Sequence, residues 1–542
     1  MMKTSKNLML TALLAASLQA QADEQRPHCV DVAVFAINDF HAAFEASRSN
    51  NIPGAPRLWQ TLDSLKAVYP YHLTVSAGDN FGGSYFYKLT EKRSLMPRLM
   101  KDLGIHISAL GNHEFDDGQT ALADKWSRVE NRPNGWDITY LGANCRNDAG
   151  KIPAFAQAWA ADTIMLPNGK PFTVALIGLI TSNTPNQAKA SRLTGLHFDG
   201  NYKGVIDSLL TTGEGEKIRK SNLCLLLTHI GTYMKNGKPT WDDRDSANLA
   251  SIDQPFIDGI ITGHSHERVS GRINKAQYPV VQARSHGAHI SFLQYKVDTT
   301  TMQVVEAIPQ TVAVNPSAPL APGPNRLQAQ IDELLGTTYL DGGLSIGTQL
   351  TVAKQDIPHN RKNKHRQSPI GGWVCTAFAE ALRKEAHLGN DDIVVGVSHF
   401  GTIRNGIAAG PVKVINVGEI LPFANAIRCY RFTGKELARL IEHGLKNQRY
   451  GWIQMGNLQA SLNAKGKLDR MVYRSPEGKE KVIGPKDCCY VAADEYMTTG
   501  GDGYPEALFP ATAEMKVKGL PTTTNAFIQY LKGKPYLDES IR

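Results

Sequence analysis

The densest chemistry in the chain lies in Gly111-Asn112-His113-Glu114-Phe115-Asp116, an amide, an imidazole and two carboxylates in six positions directly after the apolar run 105–110. That run reads as a short buried strand, so the polar hexamer begins where the strand would leave its sheet, the place where open α/β sheets put their sites. Four other apolar runs end alike. Residues 30–37 lead into Asn38-Asp39-Phe40-His41, and 73–77 into Gly78-Asp79 and a Gly-rich turn. Residues 223–228 lead into His229, and 256–262 into Gly263-His264-Ser265-His266. A lone Asp after a strand is commonly a turn residue, and a lone His a satisfied polar group. Five such endings at the same end of successive strands would converge on one patch if the sheet is largely parallel. Helix-like stretches such as 57–66, with Leu58, Leu62 and Leu65 at helical spacing, supply the crossovers such a sheet needs.

A patch of Asp39, His41, Asp79, Asn112, His229, His264 and His266 offers oxygen and nitrogen donors and no thiolate. That set suits Zn²⁺, Mn²⁺ or Fe rather than Ca²⁺ or a lone Mg²⁺, which prefer oxygen shells. Seven donors exceed one tetrahedral site. Two metals about 3.5–4 Å apart and sharing a bridging carboxylate would use them, and such pairs clamp the attacking and leaving oxygens of phosphoryl transfer.

The elements that must hold this patch exceed a single core, since 542 residues predict at least two domains. A hydrophobic fraction of 42% fits a globular protein. Residues 1–22 read as a secretory signal peptide: Lys3 and Lys6 precede the apolar run 8–18, and Ala20-Gln21-Ala22 offers a cleavage site before Asp23. No later stretch has the roughly 20 apolar residues of a membrane span, and the carboxyl end lacks an anchor tail, so a secreted or periplasmic protein without a membrane anchor is expected. The formal charge of +8 falls to +6 once Lys3 and Lys6 leave, and the one basic run, 361–366, reads as a solvated face, so no nucleic-acid polymer is expected as a partner. The seven cysteines are odd in number, which leaves at least one thiol without an intrachain partner, and none forms a CxxC metal or redox motif.

After residues 312–314 the composition shifts to the Pro-rich stretch 315–324, read as irregular, and then to a helical stretch 325–335. Beyond it comes a second α/β unit: a helix over 372–387, a strand over 392–397, Arg404 in a Gly-rich turn, and Leu421-Pro422-Phe423-Ala424-Asn425. A helix begins at the capping box Thr433-Gly434-Lys435-Glu436, and the run 489–493 leads to Tyr496 and Gly500-Gly501-Asp502-Gly503.

The five motifs in this order resemble those of the calcineurin-like metallophosphoesterases. With a secretory signal and a second domain they resemble the 5'-nucleotidase family, which includes the bacterial UDP-sugar hydrolases. The resemblance implies an α/β fold of metallophosphoesterase sheet layers flanked by helices, joined through a linker helix to a smaller α/β nucleotide-binding domain. It places a catalytic domain at 23–322, the linker at 323–342 and a substrate-binding domain at 343–542. It implies that Asp39, His41 and His266 hold one divalent metal, that Asn112, His229 and His264 hold the other, and that Asp79 bridges them. His113, oriented by Asp116, would stabilise charge developing on the phosphoryl group. Phe423 and Tyr496 would sandwich the base, Arg366 and Arg404 would take phosphate oxygens, and Asp502 would accept from the ribose hydroxyls. Asn425 would contact the base edge or its surroundings. Where the family usually has Asn-x-Gly-Gly-Ile-Arg, this chain has His399-Phe400-Gly401-Thr402-Ile403-Arg404, which puts His399 in the place of a base-edge donor.

The activity implied is metal-dependent hydrolysis of nucleoside 5'-monophosphates to nucleoside and phosphate, extending to UDP-sugars or nucleotide pyrophosphates. Alternatives are a cyclic-nucleotide phosphodiesterase or sulfur-ester hydrolase using the same metals, and a nucleotide-binding protein without catalysis. The intact ligand set and the His113–Asp116 pair weigh against the last, because a pure binder gains nothing from a metal pair that lowers a pKa.

Overall fold

The computed structural model describes residues 29–46, 52–82, 84, 86, 95–125, 138–188, 190–241, 249–340, 343–359, 361 and 363–538. The signal-peptide segment 1–22, its cleavage site before Asp23 and Lys362 lie outside these residues. The chain divides into two compact units: one holds residues up to His41, Arg57–Gly82 and Met96–Pro319, the other Ala42–Pro56, Gly83–Leu95 and Leu320–Arg542. Among the described residues no helix is long and apolar enough to cross a membrane.

The first unit contains two six-stranded sheets. Its main strands are β1 (Cys29–Ile37), β2 (Tyr71–Ser76), β3 (Ile105–Ala109), β4 (Thr139–Leu141), β5 (Trp159–Met165), β6 (Pro171–Ile180), β7 (Leu223–His229), β8 (Gly259–Ile261), β9 (Arg268–Ile273), β10 (Tyr278–Ala283), β11 (His289–Asp298) and β12 (Gln303–Ala313). The first sheet runs β12-β11-β1-β2-β3-β4 and the second β9-β10-β8-β7-β6-β5. Strands β1 to β4 are mutually parallel, and so are β10, β8, β7 and β6; antiparallel strands finish the edges.

The period-2 geometry of a strand explains why these runs are apolar throughout. Val32, Val34 and Ala36 of β1 meet Val174 and Leu176 of β6 and Leu225 and Leu227 of β7 in one core between the sheets. The alternate residues of β6, Ala175, Ile177 and Leu179, pack under α1 (Tyr202–Leu210) and α2 (Gly213–Arg219) through Val205, Ile206, Leu210 and Ile218. The two stacked sheets are the sheet layers expected above, and each is parallel through its centre. The ligand-bearing ends divide between two stacked sheets, three on the first and two on the second. The last of them is shorter than predicted, because only Gly259–Ile261 of the run 256–262 pairs as strand.

The first helix in the carboxyl-terminal stretch of the second unit, Leu320–Arg542, is α3 (Pro322–Thr337). Its start corrects the reading of 315–324 as wholly irregular: Pro322 and Pro324 sit in the first turn, where a missing N–H costs nothing and the fixed φ suits a helix. A five-stranded sheet follows, built from β13 (Ile393–Ser398), β14 (Ile427–Thr433), β15 (Gln454–Gly456), β16 (Cys488–Asp494) and β17 (Glu514–Met515) in the order β15-β13-β16-β14-β17. Helix α4 (Pro369–Glu385) starts three residues earlier than predicted, with Pro369 in its first turn. Helix α5 (Gly434–Leu445) starts at the predicted capping box: Glu436 N–H donates to Thr433 Oγ1, and Thr433 N–H to Glu436 Oε2 at 2.7 Å. It buries Leu437, Leu440 and Ile441 against Val395 and Val397 of β13.

Candidate active site

In the first unit the five polar strand ends meet. The groups Asp39, His41 and His266, then His41, Asp79 and His113, and then Asp79, His229 and His264 each bring one nitrogen or oxygen donor per residue within 4.8 Å of the others. Asp39, Asp79, Asn112 and His229 are buried almost completely, and His41 is 6% exposed. Five of the seven predicted ligands adopt left-handed backbone conformations: Asp39 (φ 49°), His41 (φ 51°), Asp79 (φ 53°), His264 (φ 78°) and His266 (φ 59°). A non-glycine residue there costs on the order of 1–3 kcal/mol and clusters at functional sites, so the local fold stores strain to aim these side chains.

Their surroundings hold them. The Asp39 carboxylate accepts from Asn38 Nδ2 (2.6 Å) and from His264 N–H (2.9 Å). Glu114 is the clamp of the site. Its carboxylate accepts the N–H groups of Asp79 (2.9 Å), Asn80 (2.8 Å) and Gly111 (2.7 Å), tying the end of β2 to the end of β3. Burial, and after it the nearby Asp79, push its carboxyl up to about 7. Asp79 Oδ1 accepts from His113 N–H at 2.9 Å, and His113 Nδ1 lies 2.9 Å from Asp116 Oδ2. This pair folds over Gly82, whose φ is +76°; a Cβ there would stand 2.6 Å from that of His113.

The donor set asks for cations. His229 Nδ1 is 2.7 Å from Ala77 O, a bond that joins the two sheets and fixes the tautomer, so Nε2 is the atom presented to Asp79 Oδ2, 3.1 Å away. Burial works against a charged His229, yet Asp79, Asp39 and Glu114 raise it to about 10, a proton answering the same demand for positive charge that a metal would. His41 Nε2 and His266 Nε2 face each other at 3.1 Å, close enough for both nitrogens to serve one cation when neither carries its proton there. Asn112 Oδ1 is buried without a hydrogen-bond partner, a cost of about 1–3 kcal/mol that a coordinated cation would remove. His264, burdened by burial and then by His229, is pushed down to about 4 and so stays a neutral nitrogen donor. The residues present therefore fit divalent metals.

One histidine of this cluster escaped the sequence reading. The His286 ring centroid lies 5.3 Å from that of His41 and 5.8 Å from that of His266, and the His286 backbone N–H donates to Asp39 O at 2.8 Å. The signal that could have found it is the one used for the other five, since β10 is one more apolar run that ends three residues before a His.

The second unit carries a separate constellation. Phe423 and Tyr496 are large aromatics with 45% and 49% of their surface exposed. The Arg404 guanidinium lies 5.6 Å from the Phe423 ring centroid, and Tyr496 lies 5.1 Å from the His399 ring. Burial first, and then the charges of Arg361, Arg404 and Arg366, push His359 down to about 3. Asp502, at φ 47°, receives His399 Nδ1 at 2.6 Å. The other ring nitrogen of His399 meets Thr402 Oγ1, and Thr402 Oγ1 donates to Asp494 Oδ2 at 2.7 Å. Asp494 Oδ1 accepts from Asn425 Nδ2 (3.2 Å) and from Tyr496 N–H (2.8 Å). Thr402 and Asp494 escaped the sequence reading because a buried Thr and an Asp closing a strand look like ordinary packing and capping. A cavity of about 670 Å³ elsewhere in this unit, between α4 and the turn at Arg474–Gly478, is lined by none of these residues.

Comparison with known proteins agrees with both halves. The calcineurin-like phosphoesterase family matches residues 32–268, and the 5'-nucleotidase C-terminal domain matches residues 346–508. The chain is 24% identical over 88% of its length to the trifunctional nucleotide phosphoesterase YfkN of Bacillus subtilis, and 21% identical over 92% to a 5'-nucleotidase of Diplobatis ommata, covering 32% and 86% of those proteins. It thus spans about a third of the length of YfkN. The fold is similar to that of a 5'-nucleotidase precursor from Thermus thermophilus, with a TM-score of 0.68, 20% identity, and coverage of 94% of this chain and 98% of that one. Calcineurin-like phosphoesterases use divalent metals, in keeping with the donor set above. By both halves, this chain belongs to the 5'-nucleotidase family of calcineurin-like phosphoesterases.

Proposed function

We propose that this protein is an exported, dinuclear-metal hydrolase that releases phosphate from nucleoside 5'-monophosphates. The observation that carries the reading is the convergence of Asp39, His41, Asp79, His229, His264, His266 and the unpartnered Asn112 Oδ1 beside the His113–Asp116 pair. Asp39, His41 and His266 would hold one metal, Asn112, His229 and His264 the other, and Asp79 would be shared by both. When bound, Zn²⁺ or Mn²⁺ there would polarise the phosphoryl group and lower the pKa of the attacking water. His113 is fixed at Nδ1 by Asp116 and so presents Nε2 in one orientation, which suits it to hydrogen-bond a phosphoryl oxygen as charge develops. Glu114 and Asn38 keep the carboxylates in place.

In the second unit, Phe423 and Tyr496 stack on the base, Arg366 and Arg404 bind phosphate oxygens, Asn425 borders the base, and Asp502 accepts from the ribose. In this account residues 1–22 are the removed signal, 23–322 the catalytic domain, 323–342 the linker helix and 343–542 the substrate-binding domain. The mature protein is secreted or periplasmic, takes a small-molecule nucleotide and needs no nucleic-acid partner. UDP-sugars and nucleotide pyrophosphates are a second substrate class, since Arg361 and Arg366 of the basic run 361–366 and Arg404 together offer more than one cation to phosphates. A substrate panel of AMP, UMP, UDP-glucose and a cyclic nucleotide, with phosphate, nucleoside and sugar phosphate quantified, tests this. Phosphate and nucleoside from the monophosphates are expected; turnover of the cyclic nucleotide alone would replace the reading with a phosphodiesterase.

A further inference from the structure

His399 stands where a base-reading side chain would be expected, yet its ring nitrogens are both spent inside the protein. Nδ1 lies 2.6 Å from a carboxylate oxygen of Asp502, and an ionised carboxylate can only accept, so Nδ1 is the donor. Nε2 meets Thr402 Oγ1, and the same hydroxyl lies 2.7 Å from Asp494 Oδ2, so it links the ring to that carboxylate. His399 is 6% exposed, and Thr402 and Asp494 are buried. The close approach is built in at the backbone: a Cβ on Gly401 would stand 2.7 Å from Asp502 Oδ2 and 3.1 Å from His399 Nδ1.

The consequence reaches every group around the exposed Tyr496. Asp502 sits at φ 47° in a glycine turn, and its carboxylate is held by His399 and also feels the charge of Arg361. At the other end of the chain of bonds, Asp494 caps the short helix that begins at Glu495 and carries Tyr496, and it also accepts from Asn425. We propose that His399 is a positioning residue for nucleoside recognition: with Thr402 and Asp494 it holds Asp502, Tyr496 and Asn425 as one hydrogen-bonded unit, and it sets the preference for an intact ribose through Asp502 without touching the base. This rests on the reading of the protein as a nucleotide hydrolase. One Asp502 oxygen is occupied by His399, so the other takes the sugar hydroxyl, and its direction is set by the imidazole.

The test compares the full-length, metal-loaded protein with His399→Phe, which keeps the ring against Tyr496 and removes both ring nitrogens, and with His399→Asn, which restores a donor near Nδ1. KM and kcat are measured for AMP and its 2',3'-dideoxy counterpart. The wild type is expected to favour AMP. His399→Phe should raise KM for AMP about tenfold, to the value for the dideoxy nucleotide, with kcat within about twofold, because a lost charge-assisted bond is of this size. His399→Asn should recover most of the loss. Thr402→Val, which cuts the link to Asp494, should raise KM for both nucleotides and carries the test if His399→Phe does not fold. An unchanged AMP KM in His399→Phe, or an equal rise for both nucleotides in that variant, overturns the proposal while nucleotide hydrolysis stands. A wild type that turns over no nucleotide overturns the functional reading and this proposal with it.

Discussion

The Glu114 carboxylate accepts the backbone N–H of Asp79 at 2.9 Å, and with it the N–H groups of Asn80 and Gly111. A residue that touches no substrate in the proposed mechanism thus fixes the loop that aims Asp79 at the histidines. Glu114→Gln puts an amide donor where three donors converge. Metal affinity should fall about 10- to 100-fold, as for other groups that orient a ligand. Metal titration followed by elemental analysis checks this; unchanged affinity would leave Glu114 without the role assigned.

His113 and Asp79 should separate chemistry from metal retention. His113→Ala removes a group proposed to act on the phosphoryl oxygens, so kcat should fall about 10²- to 10³-fold with metal content retained. Asp79→Asn weakens the shared ligand and should lose metal. Equal metal loss in the two variants contradicts the division of roles.

Acid should weaken the second unit through His359. Its folded pKa, about 3, lies below the ordinary 6.5 because of burial and the charges of Arg361, Arg404 and Arg366. A histidine depressed in this way contributes stability above its unfolded pKa, and that contribution is lost as pH falls from about 6.5 towards 3. His359→Gln, which cannot take up the proton, should show a flatter fall of Tm over this range, read by calorimetry at several pH values.

Phe423 is exposed although it is large and apolar, which a stacking platform explains and a core position does not. Phe423→Ala should raise KM for nucleotides about tenfold with little change in kcat, since a base stacked on one aromatic face gains about 1–3 kcal/mol. Steady-state kinetics on AMP decide it.

Much of the first site was legible because strands with both faces buried are apolar throughout, so a polar strand end such as Asp79 or His229 stands out. The pattern also held His286, which was passed over because Arg284-Ser285 separates it from its strand. What could not be read was the division of the strands between two sheets, since β1 and β7 have the same apolar character and only tertiary pairing sorts them. Nor was the left-handed backbone at Asp39, His41 and Asp79 visible, because sequence offers glycine as the sign of positive φ and these positions carry none. In the second unit the motif residues were legible one at a time. Their coupling through Thr402 and Asp494 was not, because a buried hydroxyl linking an imidazole to a carboxylate has no sequence spacing of its own.

The most direct test of the central claim is phosphate release from AMP by metal-stripped protein as Mn²⁺ or Zn²⁺ is titrated back. The account expects no release from the stripped protein and activity that rises until about two metals per chain are bound, the number the paired donor groups around Asp79 would hold. Release that is indifferent to metal, saturates at one metal per chain, or never appears with either ion would contradict it.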